Sequence, residues 1–157
     1  MKIPDRLRAA LDRRFVEMAL NRNPDQVIGD PDATYLERWH VIPRNRWFNV
    51  YFHMFHRSDD DRALHDHPWV NMSVLLHGVY LEITPGRETV REAGDIVLRG
   101  PKAAHRIALL NGKARTLFIT GPRMRTWGFH CPHGWRDWRL FTNPATGGNT
   151  IGRGCDG

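Results

Sequence analysis

The chain has 157 residues, 41% of them hydrophobic and 10% aromatic, with a formal net charge of +6. That is one domain's length and a globular composition; it excludes a disordered chain, and no run approaches the ~20 apolar residues of a membrane span. The charge is carried almost wholly by arginine, with Lys2, Lys102 and Lys113 the only lysines. The arginines are scattered among acids, which favours a small anionic ligand and argues against nucleic acid as a partner.

The N-terminus, Met1 to Arg6, lacks an apolar signal region, so a cytoplasmic protein is expected. Residues 5–20 read as an amphipathic helix, with Leu7, Ala10, Leu11, Phe15, Met18 and Ala19 recurring at helical spacing. Its expected role is to pack on the main body or on a partner copy. Residues 21–34 read as a turn-rich connector (Asn23-Pro24-Asp25, Gly29-Asp30-Pro31-Asp32).

From there the pattern changes to short strands rich in aromatic and β-branched residues. They are expected at 35–42, 47–57, 69–77, 79–84, 95–99, 105–110, 115–120, 126–130 and 137–142. The separators are turn material: Ser58 to Asp61, Gly78, Pro85-Gly86, Ala93 to Asp95, Gly100-Pro101, Asn111-Gly112 and Gly121-Pro122. Asn111-Gly112 between two apolar runs reads as a hairpin turn. Strands at this spacing mean an all-β sandwich or barrel. The expected organisation is a helix and connector over 1–34, a barrel over 35–142 and an irregular Gly-rich tail over 143–157. Cys131 and Cys155 are expected as reduced thiols, in keeping with a cytoplasmic chain.

The chemistry concentrates in His65-Asp66-His67-Pro68-Trp69-Val70-Asn71, followed by Gly78 and, much later, His105. Histidines at i and i+2 on an extended segment project from one face, and neutral imidazole is the commonest protein metal ligand. His65, His67 and Asn71 share one parity, as do Trp69, Ser73 and Leu75, so a regular strand would aim all of them inward. Pro68 removes a ladder donor and places this stretch at a strand start, an edge or a bulge. His105 opens an apolar stretch with Ile107 and Leu109 on its own face.

These residues resemble the two motifs of the cupin superfamily. The first motif usually reads G-x5-H-x-H-x3/4-E-x6-G; here Asp59 stands where the leading glycine is usual, His65 and His67 match, Asn71 replaces the glutamate and Gly78 closes it. The second usually reads G-x5-P-x-G-x2-H-x3-N; here Gly94 and His105 match, while the proline has slid to Pro101, Lys102 replaces the inner glycine and Leu109 the final asparagine. The resemblance implies a double-stranded β-helix or jelly-roll barrel that resembles dimer-forming cupins. It also implies one divalent metal held by His65, His67 and His105, with iron, zinc, nickel and manganese all compatible with imidazole. Asn71 would be a weak ligand or a support. Losing the glutamate's charge favours an anionic substrate. Dioxygenase and isomerase or lyase chemistry both remain open, as do a metal-free epimerase-like pocket and a non-catalytic binding or sensing module.

Around this centre, Glu82 and Tyr80 on the next strand are the candidate catalytic pair, Glu82 as general base. Trp69, Arg99 and Arg106 are the candidate substrate-binding residues, the arginines as forks for an anion. His53 and His56 have opposite parity, so at most one faces inward. The segment Trp127 to Trp135, with His130, Cys131 and His133, reads as an aromatic plug with no second cysteine–histidine pair to complete a zinc site.

Overall fold

The computed structural model of the chain describes residues 1–30, 32–59 and 63–156. Pro31 of the connector, Asp60 and Asp61 of the Ser58 to Asp61 turn, and Gly157 of the tail therefore lie outside the described residues.

Among the described residues one long helix, α1 (Asp5–Asn21), precedes twelve strands. They are β1 (Gln26–Asp30), β2 (Ala33–His40), β3 (Asn49–Phe55), β4 (Leu64–His65), β5 (Asn71–His77), β6 (Val79–Thr84), β7 (Arg87–Glu92), β8 (Ile96–Arg99), β9 (Arg106–Leu109), β10 (Ala114–Thr120), β11 (Gly128–Cys131) and β12 (Gly134–Asp137). A short helix α2 (Trp138–Phe141) and a single 3-10 turn (Pro144–Thr146) follow. All pairings between these strands are antiparallel. A six-stranded sheet runs β1-β2-β3-β10-β5-β8, faced by two three-stranded sheets, β12-β11-β4 and β7-β6-β9.

Alternation sorts the six-stranded sheet into two apolar faces. Trp39, Phe52, Val74 and Leu76 point outward and are covered by Leu11, Phe15, Val16, Met18 and Ala19 of α1. The helix is thus a lid on the sheet, as its stripe requires, although Leu7 is left half-exposed. Arg115 of β10 clamps it with both arms on Asp12, at 2.8 and 2.7 Å. The opposite face carries Leu36, Phe55 and Leu75, which meet Tyr80 and Ile107 from the smaller sheet. This second core lies beside the site.

Several local expectations give way to tertiary pairing. The connector holds a strand, β1, paired with β2 from Gln26↔Arg38 to Asp30↔Ala33. β7, also unexpected, pairs with β6 across Pro85-Gly86. Residues 138–141 are helical, not extended: Asp137 caps them by accepting the backbone N–H of Arg139. Asn111-Gly112 is a corner and not a hairpin, because β9 pairs with β6 while β10 pairs with β3 and β5. Gly78 makes the other corner of the same kind: its φ is +89°, and a Cβ there would stand 2.5 Å from the Lys113 carbonyl.

The cysteines are bonded to each other, Cys131 of β11 to Cys155, with Cα atoms 5.5 Å apart. The reading of both as reduced thiols is therefore corrected, and with it goes one argument for the cytoplasm. The bridge anchors a tail that also pairs Thr142 with Ile151 and donates to Phe141 O from both Gly152 N and Gly154 N. Replacing Cys155 by serine is expected to lower stability by about 3 kcal/mol, the loop-closure value for a bridge of this length. The check is a lower urea midpoint, reproduced by adding reductant to the parent protein and lowered no further by adding reductant to the variant. No helix among the described residues is long and apolar enough to cross a membrane.

Candidate functional site

A cavity of about 520 Å³ opens between the large sheet and the two small ones. Three histidines meet in its wall. His65 ends the two-residue strand β4, which β11 pairs through Phe129, and His65 also forms a β-bridge with His105. His67 follows in the irregular segment that Pro68 imposes, two residues on. His105 immediately precedes β9. The ligand nitrogens of His65, His67 and His105 all lie within 4.8 Å of one another, and this is the one such cluster among the described residues. His67 Nε2 and His105 Nε2 are 2.9 Å apart. That separation suits two ligands at roughly right angles on one metal with bonds of about 2.0–2.1 Å.

The trio is kept neutral by its surroundings. Burial pushes all three imidazoles below the ordinary value of 6.5, with the mutual proximity of the rings and Arg99 adding to the effect on His67. His105 is held at about 3 by burial, although Glu82 pulls the other way. Neutral imidazoles present lone pairs, which is the form a metal needs. These groups also make stability pH-dependent. An imidazole that stays neutral in the fold but protonates when unfolded costs stability as pH falls past its unfolded value, near 6.5, and down through its folded one. Chelator-treated protein is therefore expected to have a clearly lower urea midpoint at about pH 5 than at about pH 8. Equal midpoints would refute the buried, neutral trio.

Behind His105 sits Glu82, almost fully buried, with its Oε1 3.5 Å from His105 Nδ1. That contact is electrostatic and not an aligned hydrogen bond, and Nδ1 has no other partner. The carboxylate accepts from Arg99 through Nε at 2.7 Å and through Nη2, and from Arg91 Nε at 2.7 Å. Burial alone would raise its pKa, but His105 and the two arginines outweigh burial and hold it well below the carboxylate range. Arg99 also donates to Ser73 Oγ at 3.0 Å.

The other sequence candidates take distinct places. Tyr80 lines the cavity, and burial raises its pKa, so its hydroxyl stays protonated. Trp69 lines it too and stacks on His67, ring centroids 6.1 Å apart. Glu82, Arg99 and Arg106 are absent from the lining. Arg99 faces Glu82, and Arg106 alternates with the lining residue Ile107. Asn71 is buried outside the lining: its Nδ2 reaches the Trp69 carbonyl at 3.5 Å, and its Oδ1 has no partner. His130 lies 3.4 Å from Asp66, which also binds Arg125 and Trp135, so the plug segment is tied down by a structural carboxylate. Of the two histidines on the aromatic strand, His53 lines the cavity and His56 pairs with Glu37 at 2.7 Å.

Arg38 and the tail escaped the sequence reading. Arg38 faces His53 across β2 and β3, and both line the cavity. The tail residues Gly147 to Ile151 close part of its wall. The alternation Leu36, Arg38, His40 was legible as a face, but nothing local showed that this face looks inward.

The fold is that of the cupins, a double-stranded β-helix of antiparallel strands carrying a histidine trio in its cavity. The chain is similar in structure to a cupin-like protein from Thermotoga maritima (TM-score 0.54, 14% identity, covering 69% of this chain and 85% of that one). It is similar to an uncharacterised conserved protein with a double-stranded beta-helix domain from Klebsiella pneumoniae (0.52, 18%, covering 65% and 90%). A third similar structure is the DMSP lyase DddQ from Ruegeria pomeroyi (0.50, 14%, covering 62% of this chain); the match spans about half, 52%, of that enzyme's length. No protein-family model and no curated protein matches the sequence.

Proposed function

We propose that this is a metal-dependent enzyme in which His65, His67 and His105 hold one divalent metal and the cavity takes a small organic anion. The observation that carries this reading is the convergence of three neutral imidazole nitrogens on an aromatic-walled cavity of small-molecule size. Three protein ligands leave positions open for a ligand, as catalytic sites do and closed structural sites do not. A metal held there would act as a Lewis acid or, if redox-active, in oxygen chemistry.

The chain's own residues supply the rest. Glu82, ionised and fixed by two arginines, attracts a proton to His105 Nδ1 and so leaves Nε2 as the ligand atom. Trp69 steadies the His67 ring, and Phe118 and Phe129 keep the cavity apolar. Tyr80, its hydroxyl protonated and beside Arg99, forms part of the cavity wall. Asn71, where the motif usually carries a glutamate, leaves the site more positive and suited to an anion.

The test is elemental analysis of protein purified without a histidine tag. About one equivalent of metal is expected. Iron would direct assays to oxygen uptake with small carboxylic acids; zinc, nickel or manganese would direct them to isomerase and lyase assays. The lyase of the same fold supports including the last class. No metal even after reconstitution would replace this reading by a metal-free epimerase-like pocket or a binding module.

A further inference from the structure

Arg38, half-buried in the cavity wall, differs from Arg91, Arg99, Arg115 and Arg125. Arg99 and Arg91 pair with Glu82, Arg115 with Asp12 and Arg125 with Asp66. Arg38 lines the cavity, and the partners of its guanidinium are neutral: Nε donates to His53 Nε2 at 2.8 Å and Nη1 to Gln26 Oε1 at 3.0 Å. His53 accepts that bond as a neutral ring, since burial and Arg38 itself hold its pKa well down. Of the five N–H groups of a guanidinium, three remain for another acceptor. A cation withdrawn from water with no carboxylate opposite is costly, and it is tolerated where a ligand brings the countercharge.

The group is also held in place. The guanidinium lies over the Tyr51 ring at 5.1 Å, with His53 and Gln26 gripping its edges. Gln26 in turn donates to Asn149 Oδ1 at 2.9 Å, which ties the cavity-lining tail to the same network. Phe118 stands between this corner and the histidine trio, its ring 5.2 Å from His53 and 5.6 Å from His67. Arg44 lines the same cavity from an exposed position.

We propose that Arg38, positioned by His53, Gln26 and Tyr51, is the subsite that receives the carboxylate of a monoanionic ligand whose other end reaches toward His67. A fixed fork beside the aromatic rings of Tyr51 and Phe118 matches a planar carboxylate in shape and in charge. A dianionic phosphate would have to draw on the exposed Arg44 for its second charge. The inference rests on the reading of this cavity as a ligand site, but it needs no metal.

The experiment measures binding of benzoate, benzamide and inorganic phosphate by calorimetry to chelator-stripped protein. It is repeated on Arg38→Gln and Arg38→Lys, with near-ultraviolet circular dichroism confirming the fold of each. Benzoate is expected to bind the stripped protein about tenfold or more tightly than benzamide or phosphate. Arg38→Gln should lose about tenfold or more, and Arg38→Lys, which keeps charge without the fork, should lose less. The benzoate–benzamide contrast stands on the parent protein even if Arg38→Gln does not fold. The proposal is overturned by equal affinity for benzoate and benzamide, by tighter binding of phosphate, or by a folded Arg38→Gln that binds benzoate as well as the parent. It is also overturned by benzoate binding that requires metal, or by none below about 10 mM. Failure of the metal reading would show separately, as absent metal in a protein that still binds benzoate.

Discussion

Replacing His67 by alanine is expected to leave a folded barrel that no longer retains metal through dialysis. His67 places its Nε2 2.9 Å from His105 Nε2, close enough for the two to share one metal. It sits in an irregular segment, so no ladder hydrogen bond of a long strand depends on its side chain. Loss of a mere supporting contact to a ligand costs roughly 10–100-fold in metal affinity, and loss of the ligand itself should cost more than the upper end of that range. The measurement is metal content per chain after reconstitution with iron, zinc, nickel and manganese in turn, beside the parent and His105→Ala. Stoichiometric metal in a His67→Ala, His105→Ala double variant would end the assignment of the trio. A parent that binds none of the four would end it too.

Glu82→Ala should carry the largest stability cost of any single change near the site, about 3–5 kcal/mol. The carboxylate is 2% exposed and Arg99 is 6% exposed, so its removal strands a guanidinium away from water and takes a partner from Arg91 as well. The cost arises from the arginine left behind and not from the net worth of the pair, which burial largely cancels. A companion double variant, Glu82→Leu with Arg99→Met, is therefore expected to recover most of the loss. Urea unfolding of the parent, the single variant and the double variant checks this; a single variant within about 1 kcal/mol of the parent contradicts it. The acid side adds a sign test. Glu82 has a depressed pKa, so its contribution is present in full above the unfolded carboxylate value and is lost as pH falls below it. The gap between parent and Glu82→Ala should therefore narrow on acidification.

The structure separates two residues that the sequence left together. Glu82 and Tyr80 share a parity on β6, and from sequence both were candidates to enter the pocket. Tyr80 reaches the cavity, whereas two arginines hold Glu82 behind His105. Which of two same-face residues lines a cavity depends on what lies opposite each. Here that was Arg99, seventeen residues away on a strand of another sheet. Arg99 and Arg106 were legible as arginines near strand ends but not as paired or outward-facing. Arg38 lay in a segment with no motif, and the register Arg38↔His53 is what makes it a cavity residue.

The order of elements was readable to the extent that local chemistry decides it. The stripe of α1, the corner at Gly78 and the alternation along β5 and β10 follow from periodicity and from glycine's access to positive φ. β1 and β7 were not readable, because Gln26–Asp30 and Arg87–Glu92 have few apolar residues and become strands by pairing with β2 and β6. The helix at 138–141 turns on a cap from Asp137 that a run of aromatic residues conceals.

By itself the sequence determined the kind of fold and the identity of the trio. Short alternating segments can bury their apolar faces only as a closed or double sheet, and the resemblance of His65-x-His67 and His105 to the cupin motifs marked the three that meet inside it. The tertiary structure decided which charges belong to the cavity and which to its supports, whether Cys131 meets Cys155, and that the tail walls the pocket. Those are contacts between segments far apart in the chain. Their partners are set by strand register and sheet order, and neither is written in any local run of residues.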